Sequence, residues 1–164
     1  MNEAGAAGSE AADTSRQQIL LCEVASLLCG FTLGSVIETM RALPIEPVAG
    51  TPSFVSGLSI VRGQPVPVID LAALLGAPRE ARRVRFVLVR AGERRVALAV
   101  SNVLGTRALP LRSLQELPPL LASAAAEFVN AIASLDAQLL LTLESGRMLE
   151  ASVWAELELA GARS

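Results

Sequence analysis

The stretch GLSIVRGQPVPVIDLAALLG, residues 57–76, sets a charge and two prolines inside the most apolar sequence of a 164-residue chain. Arg62 and Gly63 follow an apolar run, Pro65 and Pro67 alternate with Val66 and Val68, and Asp70 precedes a leucine-rich segment. In a strand the N–H groups of residues i and i+2 point to the same side. The prolines therefore remove two donors from one edge, while Val66 and Val68 keep theirs on the other. That pattern belongs to an edge strand or a sheet boundary. Asp70 fits the N-cap of a short helix over LAALL, stopped by Gly76 and Pro78, and capping rather than catalysis is the role its position indicates.

Strand signals spread outward from this segment. Residues 19–25 (ILLCEVA) and 28–33 (LCGFTL) read as a first strand pair with a tight connection. As a membrane span the region 19–37 is too patchy, because Glu23, Ser26, Gly30, Thr32, Gly34 and Ser35 interrupt it. Residues 35–41 (SVIETMR) suit either strand or helix, and 42–54, with three prolines and a glycine, reads as an irregular extended connection. RVRFVLV (83–89) and RRVALAV (94–100) flank RAGE as a hairpin whose outer face would carry arginines. Residues 101–125 look less regular, and a last hairpin turns at Asp136-Ala137. At the C-terminus Leu149, Val153, Trp154 and Leu157 form one helical stripe, with Trp154 as a packing residue. The expected total is seven to nine short strands and two short helices, hence a mainly β protein built as a barrel or paired barrels.

Composition narrows the chemistry. All 14 basic residues are arginine, and the chain has no histidine, lysine or tyrosine, so the inventory for acid–base or nucleophilic catalysis is thin. A formal net charge of −2 gives no general attraction to nucleic acid or anionic lipid. Seven arginines do fall between Arg79 and Arg95, but no exposed aromatics or recognition helix accompany them, which disfavours an arginine-patch nucleic-acid binder. Cys22 and Cys29 lack a histidine to complete a zinc site, and two buried free thiols are a simpler reading than a disulfide. Residues 1–17 are small, polar and acidic, unlike a signal peptide, and read as a disordered tail.

TPSFVSGLSIVRGQPVPVIDLAALLG (51–76) resembles the signature of the CheW family, the adaptors of bacterial chemosensory arrays. CGFTLGSVIETMR (29–41) is similar to that family's glycine-containing strand and Val-x-Glu element, and NAIASLDAQLLLTLESGRML (130–149) to its closing hairpin and helix start. The resemblance implies two packed SH3-like five-stranded β-barrels with short helices, including a C-terminal one. It implies a CheW-like domain over 18–158, with 159–164 as a short tail, and no catalytic activity or cofactor. It further implies a cytoplasmic adaptor, clustered through its partners, that links the tips of methyl-accepting chemoreceptors to a CheA-type histidine kinase and meets other CheW-like proteins.

Carried over residue by residue, the resemblance assigns Val36, Glu38, Gly57 and Arg62 to a receptor-facing groove between the barrels. Leu43, Ile45 and Val48 are assigned to kinase contact, on a connection expected in the first barrel. Two readings fit Arg62, a groove residue or a solvated edge charge. Two also fit Gly57, a close backbone approach or a simple bulge. Ile60, Ser101 and Ala131 depart from the family pattern, which commonly has Asn, an acidic residue and Gly there. With Arg85, Arg90, Arg94 and Arg95 crowding the hairpin expected in the other barrel, these departures admit an alternative, an accessory array component that binds receptors but couples weakly to the kinase.

Overall fold

A computed structural model describes residues 15–78, 85–116 and 128–163. Within them lie ten strands, two α-helices and three 3-10 turns. The strands are β1 (Arg16–Val24), β2 (Leu27–Thr32), β3 (Val36–Arg41), β4 (Val55–Val61), β5 (Gln64–Asp70), β6 (Arg85–Ala91), β7 (Arg94–Val100), β8 (Asn102–Pro110), β9 (Val129–Leu135) and β10 (Gln138–Leu143). The helices are α1 (Leu71–Leu74) and α2 (Ala151–Arg163). They build two five-stranded sheets, ordered β8-β1-β2-β10-β9 and β3-β6-β7-β5-β4. In each, the chain leaving one edge strand bridges back to the opposite edge strand, Gln115 to Ile132 and Glu46 to Leu58.

The prolines explain how β5 fits its sheet. The amide of Asp70 donates to Phe54 O on the β4 side, so Val66 and Val68, spaced by two, face β4 as well. Pro65 and Pro67 therefore face β7, and parallel pairing with β7 begins only at Val68, opposite Ala97. The sheet opens where its donors are missing. The strand is interior by order and an edge in its first half.

Asp70 then ends the strand and caps α1, its carboxylate accepting from Ala73 N at 3.3 Å. After α1, Gly76 has φ +71 and the amide of Ala77 donates to Ala72 O, which closes the helix as the Gly-Pro signal indicated.

Several expectations need correction. The β6–β7 hairpin has no solvated outer face. Phe86, Leu88, Ala97 and Ala99 pack with Val61, Val66 and Val68 inside their own sheet, while Val87, Val89, Val96, Leu98 and Val100 join the core shared with the other sheet. Its described arginines sit at strand ends and beside the turn. Residues 102–110 form a full strand, β8, paired along β1 with a register shift between Leu21 and Cys22. It escapes a pattern search because its side chains are mostly exposed and its strand character comes from backbone pairing. The 42–54 connection joins β3 to β4, so it lies in the same sheet as the arginine-bearing hairpin, not in the other one. β1 starts at Arg16 and α2 runs to Arg163, so ordered structure reaches past both expected tail boundaries. Residues 1–14 and 117–127, with Pro118 and Pro119, lie outside the described residues.

Cys22 and Cys29 face each other across β1 and β2 as buried free thiols. Burial pushes both up to about 12, with the neighbouring Cys22 adding to the rise at Cys29. A thiol that ionises near 9.0 unfolded and about 12 folded holds its proton more tightly in the native state. Stability is therefore intact below that lower value and falls as pH climbs toward the higher one. At pH 8 native protein should resist a disulfide-exchange reagent, since roughly one thiol in ten thousand is ionised, and both should react once denaturant is added. Separately, Asp70→Ala should lower unfolding free energy by about 0.5–2 kcal/mol in a urea titration through loss of the cap.

Candidate functional site

Arg62 and Gly63 form the two-residue turn between β4 and β5, with φ of +50 and +78. Left-handed backbone at both central positions is the type I′ geometry that matches strand twist. Glycine adopts it freely, whereas an arginine there is held at some strain. The turn lifts Arg62 off the end of the sheet rather than along an edge strand, and its side chain is 71% exposed. From there it reaches β3: Nε donates to Glu38 Oε2 at 2.9 Å and Nη2 to Glu38 Oε1 at 3.2 Å. The fork is bidentate. The hydrogen bond to Glu38, and then the attraction of that carboxylate, hold the Arg62 guanidinium above its ordinary pKa.

Glu38 is aimed by a bulge. Opposite Val89 and Leu88 of β6, β3 places three residues, Val36, Ile37 and Glu38, so Ile37 is the extra one. Ile37 packs into the interior of the second sheet, while Val36 packs against the shared core. Of the four expected receptor-facing residues, the structure thus joins Glu38 and Arg62 directly and sets Val36 two residues from Glu38.

Gly57 stands apart. It is buried in β4 at φ +142, and a Cβ there would lie 2.1 Å from Glu46 O and 2.9 Å from Pro47 Cα. The close approach proposed for this glycine is made by the chain's own 42–54 connection, and Leu58 N and O exchange hydrogen bonds with Glu46 beside it.

Leu43 and Ile45 are half-buried against the interior of the second sheet, and Val48 against the shared core. Val48 also lines a cleft of about 350 Å³ between this connection and α2, with Glu46, Pro47, Leu58, Glu156 and Leu159.

Three of the four hairpin arginines have named partners. Arg94 pairs with Glu158 of α2 at 2.9 Å and lies 4.7 Å over the Trp154 ring. Arg85 donates to Thr39 Oγ1 at 3.5 Å, and Arg90 to Gly34 O at 3.4 Å. Trp154 and Leu157 are buried, so α2 covers the opening that Pro65 and Pro67 leave, and a cleft of about 500 Å³ remains between them. The departing residues have local roles too. Ser101 Oγ accepts from Ala25 N at 3.1 Å in the first hairpin turn. Ile60 is 58% exposed beside Arg62. Its signal was in the sequence, an isoleucine two positions before the turn arginine, but periodicity alone does not tell which face of β4 is open. Among the described residues no group of three or more metal-ligating side chains comes together, and no helix is long and apolar enough to cross a membrane.

Comparison with known proteins agrees with this architecture. The family model of the CheW-like domain matches residues 18–153. Protein FrzA of Myxococcus xanthus is 34% identical over 120 residues, which cover 71% of this chain and 74% of that protein. The chemotaxis protein CheW of Klebsiella aerogenes is 25% identical over 148 residues, covering 88% and 89% respectively. The crystal structure of the scaffolding protein TtCheW from Thermoanaerobacter tengcongensis superposes with a TM-score of 0.77 at 23% identity, over 85% of this chain and 96% of that one.

Replacing Gly57 by Ala should lower unfolding free energy by about 2–4 kcal/mol, because a methyl group would enter the Glu46 backbone at a left-handed position. A urea titration reads it. A loss under about 1 kcal/mol would mean that the 42–54 connection yields without resistance.

Proposed function

The chain belongs to the CheW-like family of non-enzymatic scaffold and adaptor proteins, and we propose that it links the cytoplasmic tips of chemoreceptors to a CheA-type histidine kinase in a chemosensory array. One observation carries the receptor half of this reading. An arginine held in left-handed backbone on an exposed turn, locked bidentately to Glu38, is a costly way to place a solvated charge and a good way to present a fixed one. Val36 and Glu38 on the adjoining strand extend the same surface, and Gly57 supports it by anchoring β4 to the connection. The kinase half is supported by the 42–54 connection, where Val48 borders a cleft of mixed apolar and acidic lining and Leu43 and Ile45 remain partly open.

The accessory alternative loses its main ground. It placed the cluster Arg85, Arg90, Arg94 and Arg95 on a separate barrel, whereas hairpin and connection share one sheet and Arg94 is matched by Glu158. Titration against a receptor tip and, separately, a kinase regulatory domain tests the reading. Binding to both is expected, and binding to the receptor alone would restore the accessory role.

Arg62→Ala should weaken receptor binding about 5- to 100-fold, the range for a charged interface hot spot. Its melting temperature should move by no more than about 2 °C, since the side chain is mostly solvated. Loss of folding instead would make Arg62 structural.

A further inference from the structure

The cleft between the 42–54 connection and α2 is built from two distant parts of the chain. Glu46 to Ala49 form one wall, and the face of α2 that carries Glu156, Leu159 and Ala160 forms the other. Spacings of three and four residues set those three side chains in one row along the helix. Leu58, buried and bonded through its backbone to Glu46, lies between the walls. The family match covers residues 18–153 and does not extend to the helical wall.

Charge divides α2 between its two sides. Glu158 is matched by Arg94 at 2.9 Å on the side of the proline opening. Glu156 lines the other cleft, and among the described residues neither it nor Glu46 has a side-chain hydrogen bond or ion pair. No arginine is among the described residues that line this cleft. Two exposed carboxylates thus border apolar surface, and Leu159 beside them is 57% exposed. A wholly apolar partner would cover the carboxylates without pairing them, and an acidic one would add like charge. A base next to an apolar side chain answers both features. The apolar side chain covers Val48, Leu58 and Leu159, while the base meets a carboxylate with its stem along the apolar wall.

From this we propose that the cleft determines specificity in the kinase contact, taking a segment of the CheA-type regulatory domain that presents an arginine or lysine next to an apolar side chain. The proposal rests on the reading of the 42–54 connection as kinase-facing, and continuity with Val48 decides the occupant. It makes α2 the second wall of that contact. Glu46 and Glu156 select for positive charge, and Leu159 adds apolar area.

The test is titration of full-length protein with the purified regulatory domain of a CheA-type kinase from the same organism and, in parallel, with a chemoreceptor tip. Glu46→Gln combined with Glu156→Gln should weaken kinase-domain binding about tenfold, and Lys at both positions should weaken it further. Raising salt from about 0.05 M to about 0.5 M should weaken the parent at least about fivefold and the double Gln variant clearly less. Ala49→Trp, which fills the cleft without changing its charge, should remove binding. Receptor-tip affinity should stay within about twofold and melting temperature within about 2 °C, since every changed position is exposed. If the Gln and Lys variants bind the kinase domain like the parent while Ala49→Trp does not, selection for a base falls and the kinase-facing reading stands. If Ala49→Trp also binds like the parent, or the parent itself fails to bind, the kinase-facing reading falls too. Self-association of the parent in sedimentation that the double Gln variant abolishes would give the cleft to a second copy and overturn the proposal.

Discussion

Everything in this protein leans on the apolar layer between the two sheets. Leu20, Cys22, Val24, Cys29 and Phe31 from the first sheet meet Val87, Val89, Val96, Leu98 and Val100 from the second in one continuous core. The β6–β7 strands are covered on both faces, since Phe86, Leu88, Ala97 and Ala99 fill their own sheet's interior. A strand pair buried on both sides cannot slip by one residue without moving polar backbone neighbours and side chains wholesale. The relation of the two sheets is thereby set by packing rather than by a linker. With few aromatics, close-packed valine, leucine and alanine must supply this layer, and small branched side chains interdigitate well on pleated surfaces.

The two sheets are built to one plan. In the second, hairpin β4–β5 lays its latter strand parallel to β7, and in the first, hairpin β9–β10 lays its latter strand parallel to β2. The bridge at Leu58 of β4 has its counterpart at Ile132 of β9, each in the fourth position of its strand. Arg62-Gly63 and Asp136-Ala137 are matching turns, all four residues left-handed. Each turn then pairs with the edge strand beside it, Arg62 with Glu38 and Asp136 with Arg107 at 3.3 Å, with the charges reversed. The plan also explains Ala131. It occupies the position of Gly57, but only at Gly57 does the returning connection press against the strand closely enough to exclude a Cβ. The same backbone scheme is thus used once with a tight seam and once with a looser one.

What could be read in the sequence follows from this physics. Pro65 and Pro67 declared a side without donors, Asp70 declared a cap, and RAGE and Asp136-Ala137 declared hairpin turns, because each acts through its own backbone within a few residues. β8 was illegible because its exposed side chains carry no alternation and its partner β1 lies about eighty to ninety residues earlier. The outer face of β6–β7 was misjudged for a related reason: covering a second face is a decision of the whole fold, not of the strand. For the candidate site, the resemblance named Arg62 and Glu38, but not that they would hold each other. A connection rich in proline likewise does not reveal that Leu43 and Ile45 pack into the interior of the second sheet and Val48 against the shared core.

The placement of the Arg62 turn shows how a small β protein can present a rigid surface without a large loop. A two-residue turn has little freedom of its own, and its position depends on the strands that enter and leave it. β4 is fastened to the 42–54 connection by the Glu46–Leu58 hydrogen bonds and by the absence of a side chain at Gly57. β5 cannot pair with β7 in its first half, so α2 braces it instead, with Gly161 against Pro65 and α2 itself pinned by Trp154, Leu157 and the Arg94–Glu158 pair. The two prolines that weaken the sheet are therefore also the reason a helix is needed there. That helix gives the exposed Pro65 end of the hairpin a solid backing, so the Arg62 turn is held by packing where pairing is missing.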